Sequence, residues 1–165
     1  MTQIIIGIDP SLTKTGVGLI KVDNQASISF LASRTIYTNA KDSIAKRVLD
    51  LHNNLNQIIA DFSPDVAVIE EVFVNKNPMS SLKLGHGRGA LILSLAINNL
   101  PVYEYSATNI KKSVTGVGRA DKSQMMQMIK YLLPKADFKT EDEADALAVA
   151  ICHVNNFSLR DRAAL

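Results

Sequence analysis

Hydrophobic and polar positions change rhythm along this chain, and each change marks an element. Gln3-Ile4-Ile5-Ile6-Gly7-Ile8 is a nearly continuous apolar run ending in Asp9 and Pro10, the pattern of a short buried strand stopped by proline. Ser11 to Thr15 read as a polar turn, and Gly16-Val17-Gly18-Leu19-Ile20 as a second strand that hairpins back. Ser27 to Thr38 alternates apolar and polar over much of its length, which suits a half-exposed third strand. The period then lengthens. From Ser43 to Phe62 the apolar positions Ile44, Val48, Leu51, Leu55, Ile58 and Ile59 recur at helical spacing. Pro64-Asp65 breaks that helix, and Val66 to Glu70 is another buried strand that ends in an acid. Pro78 opens a second long helix through Ile97, interrupted by Gly85, Gly87 and Gly89. Glycine costs roughly 1 kcal/mol per helical position relative to alanine, so three of them imply a bend or the close approach of another backbone. Pro101 to Tyr105 is a fifth strand, followed by helices over Ala107–Val114, Lys122–Leu133 and Glu141–Asn155 and a polar stub after Phe157.

Three strands, then helix, strand, helix, strand and helices is a mixed α/β order. Parallel neighbours joined by helices bring the C-terminal ends of the first and fourth strands to one sheet edge, where Asp9 and Glu70 stand. At 165 residues the chain fits one domain, expected over 1–157 with a short polar tail over 158–165. A hydrophobic share of 47% with 21% charged residues excludes a disordered chain. The single Cys152 excludes an internal disulfide and a cysteine-cluster zinc site, and it fits a reducing compartment. No secretory signal is visible and no apolar run nears the ~18 residues of a membrane span, so a soluble, cytoplasmic protein is expected.

The net charge of +2 is unevenly distributed. Between Val74 and Lys139 stand ten basic residues (Lys76, Lys83, Arg88, Lys111, Lys112, Arg119, Lys122, Lys130, Lys135 and Lys139) against three acids (Glu104, Asp121 and Asp137). That leaves +7 there and −5 elsewhere, a balance that suits a face for a polyanion. The acids cluster differently. Asp9 and Glu70 end strands apolar enough to be central, where charge is costly unless paired or bound to a cation. Asp142 and Asp145, three apart at the start of the last helix, share a face, although acids there also complement the helix dipole. Four carboxylates without matching His or Cys ligands select a hard cation, Mg²⁺ or Mn²⁺. An acidic cluster in a basic surround points to phosphodiester hydrolysis, since two ions ~3.5–4 Å apart stabilise both oxygens of an in-line displacement.

Five blocks make this pattern specific. They are Gly7-Ile8-Asp9-Pro10, Ile69-Glu70-Glu71-Val72-Phe73, Ser81-Leu82-Lys83-Leu84-Gly85-His86-Gly87-Arg88-Gly89, Gly116-Val117-Gly118-Arg119-Ala120-Asp121-Lys122 and Asp142-Glu143-Ala144-Asp145-Ala146-Leu147-Ala148. In order and spacing the chain resembles the RuvC family of Holliday-junction resolvases over nearly its whole length. The resemblance implies an RNase H-like fold, with a mixed five-stranded sheet flanked by helices. It implies a homodimer that makes paired symmetric nicks in four-way junction DNA, leaving 5′-phosphate and 3′-hydroxyl ends. Asp9, Glu70, Asp142 and Asp145 match the catalytic, metal-binding carboxylates, with two Mg²⁺ expected per site and Mn²⁺ able to substitute. Lys111 and Lys122 match basic positions near the scissile phosphate, and Phe73 an aromatic that stacks on junction bases. Lys112 beside Lys111 is an alternative, and Lys76, Lys83, Arg88 and Arg119 are further candidates for DNA contact. A branch-migration motor is the expected protein partner.

Departures from the family pattern are modest. Ser11 replaces a more usual glycine and stiffens its turn, while Gly87 replaces a more usual alanine and loosens its helix. The glycine-interrupted helix over 78–98 is the candidate dimer interface. His52, His86 and His153 are not spaced as a metal cluster, and Cys152 reads as a small packing residue. Two rivals stand beside the resolvase reading: an RNase H-like nuclease on RNA–DNA hybrid or simple branched DNA, and a junction binder without catalysis. An actin-like ATPase would need a second domain for which there is no room.

Overall fold

Side chains alternate across a strand, and that alternation divides this molecule into three layers. In the computed structural model, which describes residues 2–72 and 77–163 with side chains through 157, β1 is Gln3–Asp9. It pairs antiparallel with β2 (Lys14–Val22), and β2 pairs antiparallel with β3 (Ile28–Tyr37). On its other side β1 runs parallel to β4 (Val66–Glu70), which runs parallel to β5 (Val102–Tyr105). The sheet is thus five-stranded and mixed, in the order β3-β2-β1-β4-β5. The mixed α/β order is the one the sequence pattern predicts, and the mixed five-stranded sheet is the one the family resemblance implies.

One face carries Ile6, Ile8, Val17, Leu19, Ala67 and Ile69. Against it pack α1 (Ile44–Phe62) through Leu51, Leu55, Ile58 and Ile59, and α2 (Pro78–Ile97) through Leu91 and Leu95. The other face carries Ile5, Ile20, Val66 and Val68 and is covered by α3 (Ala107–Thr115), α4 (Lys122–Leu132) and α5 (Glu141–Ala163). Asp9 and Glu70 have the parity of Ile5 and Val68, so both belong to the α5 face. Among the described residues no helix is long and apolar enough to cross a membrane.

α5 is the central helix, buried from Ala146 through Cys152. It continues well past the expected end at Asn155, because no proline or glycine follows Glu141 to stop it. Its seat is made of glycine. A Cβ on Gly7 would lie 2.2 Å from Ala146 O, on Gly16 1.9 Å from Asp142 O, and on Gly18 2.7 Å from Leu147 N. Only bare backbone lets the helix lie this close to β1 and β2.

The glycines of α2 behave differently from one another. A Cβ on Gly87 would stand 3.2 Å from both Leu12 Cα and Leu12 N, whereas Gly85 and Gly89 face open space. Close approach therefore explains Gly87 alone. Gly87 closes a tight contact with the β1–β2 turn instead of loosening its helix. That turn is stiff, as the serine implies: Ser11 Oγ accepts from Thr13 N and Lys14 N at 3.2 and 3.3 Å. Arg47, buried on α1, secures it from behind, with Nη2 donating to Leu12 O (3.1 Å) and Thr13 Oγ1 (2.7 Å) and Nε to Thr38 Oγ1 (2.9 Å).

Candidate active site

Sheet register brings the acids together. β1 and β4 align Gly7 with Val68 and Ile8 with Ile69, so the next step along places Asp9 beside Glu70. On the other side Asp9 pairs with Gly16, over which lies the backbone of Asp142. The start of α5 thus stands above the C-terminal end of β1, and the carboxyls of Asp9, Glu70 and Asp145 are all half-buried at one edge. A cleft of about 210 Å³ opens there, lined by Glu70, Asp145, Lys111, Lys122, Ala107, Ile110, Met125 and Ala148.

The electrostatics are those of crowded acids. Burial, then repulsion from Glu70, Asp145 and Asp142, pushes Asp9 up to about 8, against a smaller opposing pull from Lys122. Glu70 is also pushed up, by burial and then Asp145, with Lys111 opposing. Burial raises Asp145 as well, partly offset by Lys122. Among the described residues no three ligand-type side chains already stand at cage spacing: Glu70 and Asp145 line the cleft, and Asp9 and Asp142 stand beside it at the same sheet edge. Their donor set is all oxygen, anionic and mutually repelling, which fits a hard divalent cation and no soft one.

Lys122 and Lys111 are the cations that face these acids, from α4 and α3. Asp121 caps α4 in a reciprocal box with Gln124 (2.9 and 3.0 Å), which sets Lys122 at the first helical position after the Gly116–Asp121 loop. Lys122 Nζ meets exposed Glu141 at 2.5 Å, and this contact raises the lysine and lowers the acid. Of the two neighbouring lysines it is Lys111 that lines the cleft, while Lys112 is exposed outside it.

The remaining expected contacts scatter. Lys83 and Arg119 are exposed. Arg88 is already engaged, its Nε donating to Glu70 O at 3.2 Å and its guanidinium paired with Glu104. Phe73 and Lys76 lie outside the described residues. His52 sits between Ser94 Oγ (2.8 Å) and Asn56 Nδ2 (2.9 Å), and His153 contacts Tyr105 Oη at 3.1 Å, both packing roles. Cys152 is buried, which pushes its thiol up to about 11. Sequence reasoning passed over Arg47, Glu141 and Glu143. For Glu143 the Thr140-x-x-Glu143 spacing is a helix-start signature, but it does not say which strand the carboxylate reaches.

A mixed five-stranded sheet with helices on both faces and acids gathered at the ends of β1 and β4 and the start of α5 defines an RNase H-like nuclease domain. A family profile described as "Crossover junction endodeoxyribonuclease RuvC" matches residues 5–153. The chain belongs to that family. It is 50% identical over 153 residues to the crossover junction endodeoxyribonuclease RuvC of Paramagnetospirillum magneticum, covering 92% of this chain and 91% of the relative. It superposes on Thermus thermophilus RuvC in complex with Holliday junction substrate with a TM-score of 0.89, at 25% identity and 96% coverage of each chain. The yeast mitochondrial Holliday junction resolvase Ydc2 shares the fold, with a TM-score of 0.68 at 13% identity, covering 96% of this chain and 82% of that one.

Proposed function

We propose that this chain resolves four-way DNA junctions by symmetric paired nicking, with Asp9, Glu70, Asp142 and Asp145 as the residues that hold its metal ions. One observation carries the reading: strand ends and a helix start far apart in sequence deliver carboxylates to one edge, opposite Lys111 and Lys122. Mg²⁺, two ions per site with Mn²⁺ able to substitute, supplies Lewis-acid stabilisation of charge developing on the phosphodiester oxygens. The carboxylates bind and orient. Lys122 and Lys111 draw the phosphodiester in and offset its charge. The Lys122–Glu141 contact is exposed and screened, so an incoming phosphate displaces it at little cost. Water adds at phosphorus as the bond to the 3′-oxygen breaks, giving 5′-phosphate and 3′-hydroxyl ends.

Paired nicks call for two sites related by a two-fold axis. The outward face of α2 suits that contact: Met79, Leu82, Leu93 and Ile97 are exposed, and Gly85 and Gly89 leave room for a second backbone. Phe73, Lys76, Lys83, Arg88, Lys112 and Arg119 complete the proposed DNA-binding set. Family membership supports a branch-migration motor as partner, and a DNA substrate supports action in the cytoplasm.

The test is cleavage of a labelled mobile four-way junction by wild type and Asp9→Asn, in Mg²⁺ and in EDTA, beside linear duplex and RNA–DNA hybrid. Symmetric metal-dependent nicking of the junction alone, with binding but no cutting by the variant, is the expected result. Cutting of the hybrid moves the protein to the RNase H side, and binding without cleavage in any metal leaves a junction binder.

A further inference from the structure

One buried acid has no part in the chemistry above. Glu143 lies between Asp142 and Asp145 in sequence, yet it is only 6% exposed, and among the described residues no Lys or Arg side chain forms an ion pair with it. Helical geometry turns it roughly 100° away from Asp142 and about 160° away from Asp145, toward the outer strands instead of the acidic edge. There it is held by directional neutral donors. Ser33 Oγ donates to Oε2 at 2.7 Å and Lys139 N to the same oxygen at 2.9 Å. Thr35 Oγ1 donates to Oε1 at 3.1 Å.

A ring closes through the helix start. Glu143 N donates to Thr140 Oγ1 at 3.2 Å, and Thr140 Oγ1 lies 2.8 Å from Thr35 Oγ1. With the Thr140 hydroxyl donating to Thr35 and Thr35 donating to Glu143, each hydroxyl in the ring donates once and accepts once. Ser33 and Thr35 are the cross-strand partners of Gly18 and Gly16, the glycines on which α5 sits.

We propose that Glu143 is a positioning residue for the acidic edge, clamping the first turn of α5 to β3 so that Asp142 and Asp145 face Asp9 and Glu70. The inference rests on the nuclease reading above. Glycines set how near α5 comes to the sheet, but a bare backbone floor does little to resist sliding along it. A helix cap needs only Thr140; the reach to Ser33 and Thr35 adds a tie to another element. That tie opposes rotation and sliding of the turn that bears two of the four carboxylates. Groups that orient metal ligands without touching the metal are typically worth about 10- to 100-fold in metal affinity or activity.

The experiment uses the full chain as wild type, Glu143→Ala, Glu143→Gln and the double variant Ser33→Ala/Thr35→Val. Three quantities are measured: junction binding in EDTA, single-turnover cleavage against Mg²⁺ concentration, and amide hydrogen exchange over residues 142–147 without metal. In Glu143→Ala, binding is expected within about twofold of wild type. Cleavage falls about 10- to 100-fold with a higher half-activating Mg²⁺ concentration, and exchange over the first turn of α5 accelerates. The double variant moves the same way by less, and Glu143→Gln, which keeps an acceptor oxygen, recovers part of the loss. Folded variants with wild-type cleavage, Mg²⁺ dependence and exchange overturn the proposal, as does a lowered melting temperature with unchanged kinetics. If Glu143→Ala does not fold, the double variant decides. If wild type itself cuts no junction, the nuclease reading fails, and exchange in the variants still tests the clamp.

Discussion

Burial and three neighbouring carboxylates crowd Asp9. In the unfolded chain its carboxyl titrates near 3.8, and in the fold near 8, so below about pH 4 it is neutral in both states and costs nothing. As pH rises from 4 toward 8 the unfolded state releases its proton first. The folded state must then ionise against burial and three other carboxylates, and stability is lost across that window. Asp9→Asn cannot ionise. In EDTA at pH 8 it is expected to melt above wild type by at least about 3 °C, the shift of roughly 1 kcal/mol in a domain this size. The gap should close near pH 4, and Mg²⁺ should raise wild type more than the variant. Thermal melts across pH with and without metal check this, and a gap that ignores pH would mean the surroundings do not hold Asp9 protonated.

At the scale of elements, the relation of α5 to β1 and β2 decides the site. Gly16 meets backbone, and a carbonyl 1.9 Å from a new Cβ has no flexible side chain that can give way. Gly16→Ala is therefore expected to cost about 1–3 kcal/mol and to reduce cleavage by displacing Asp142. Gly85→Ala meets nothing within its own chain and is expected to stabilise the isolated fold by up to about 1 kcal/mol, while lost dimerisation and cleavage would report a second copy packed there. Melting temperature and cleavage rate measured on both variants separate the two cases. The three α2 glycines together imply a bend or the close approach of another backbone, and only Gly87 meets one within the chain. Composition shows that glycine interrupts a helix but not what faces it, which depends on where the β1–β2 turn ends up.

For the whole molecule, the exposed apolar face of α2 is the feature a lone chain leaves unexplained. If two copies meet there, Leu93→Asp should turn dimer into monomer in sedimentation while leaving the carboxylate edge intact. Paired nicks should then become single, uncoupled ones. A variant that stays dimeric would move the interface elsewhere. The excess of basic residues in the middle of the chain becomes intelligible at this scale too. Lys111 and Lys122, eleven positions apart on two helices, reach the same cleft, while Lys112 and Arg119 stay exposed outside it.

Much of this was legible in the residues themselves. Continuous apolar runs marked the strands buried on both faces, alternation marked β3 and a period of 3.6 marked α1, because burial of two faces or of one imposes each pattern. Acids at the ends of apolar strands marked Asp9 and Glu70, since a charge beside a buried strand demands a partner. Tertiary structure decided what depends on register and contact. It placed Lys111 on the cleft and Lys112 outside it, and set Gly87 against the turn. It tied Arg88 to Glu70 and Glu104, extended α5 to Ala163, and carried Glu143 across to Ser33 and Thr35. Local periodicity fixes which face a side chain takes, but its partner comes from an element distant in sequence and is set only when sheet and helices pack.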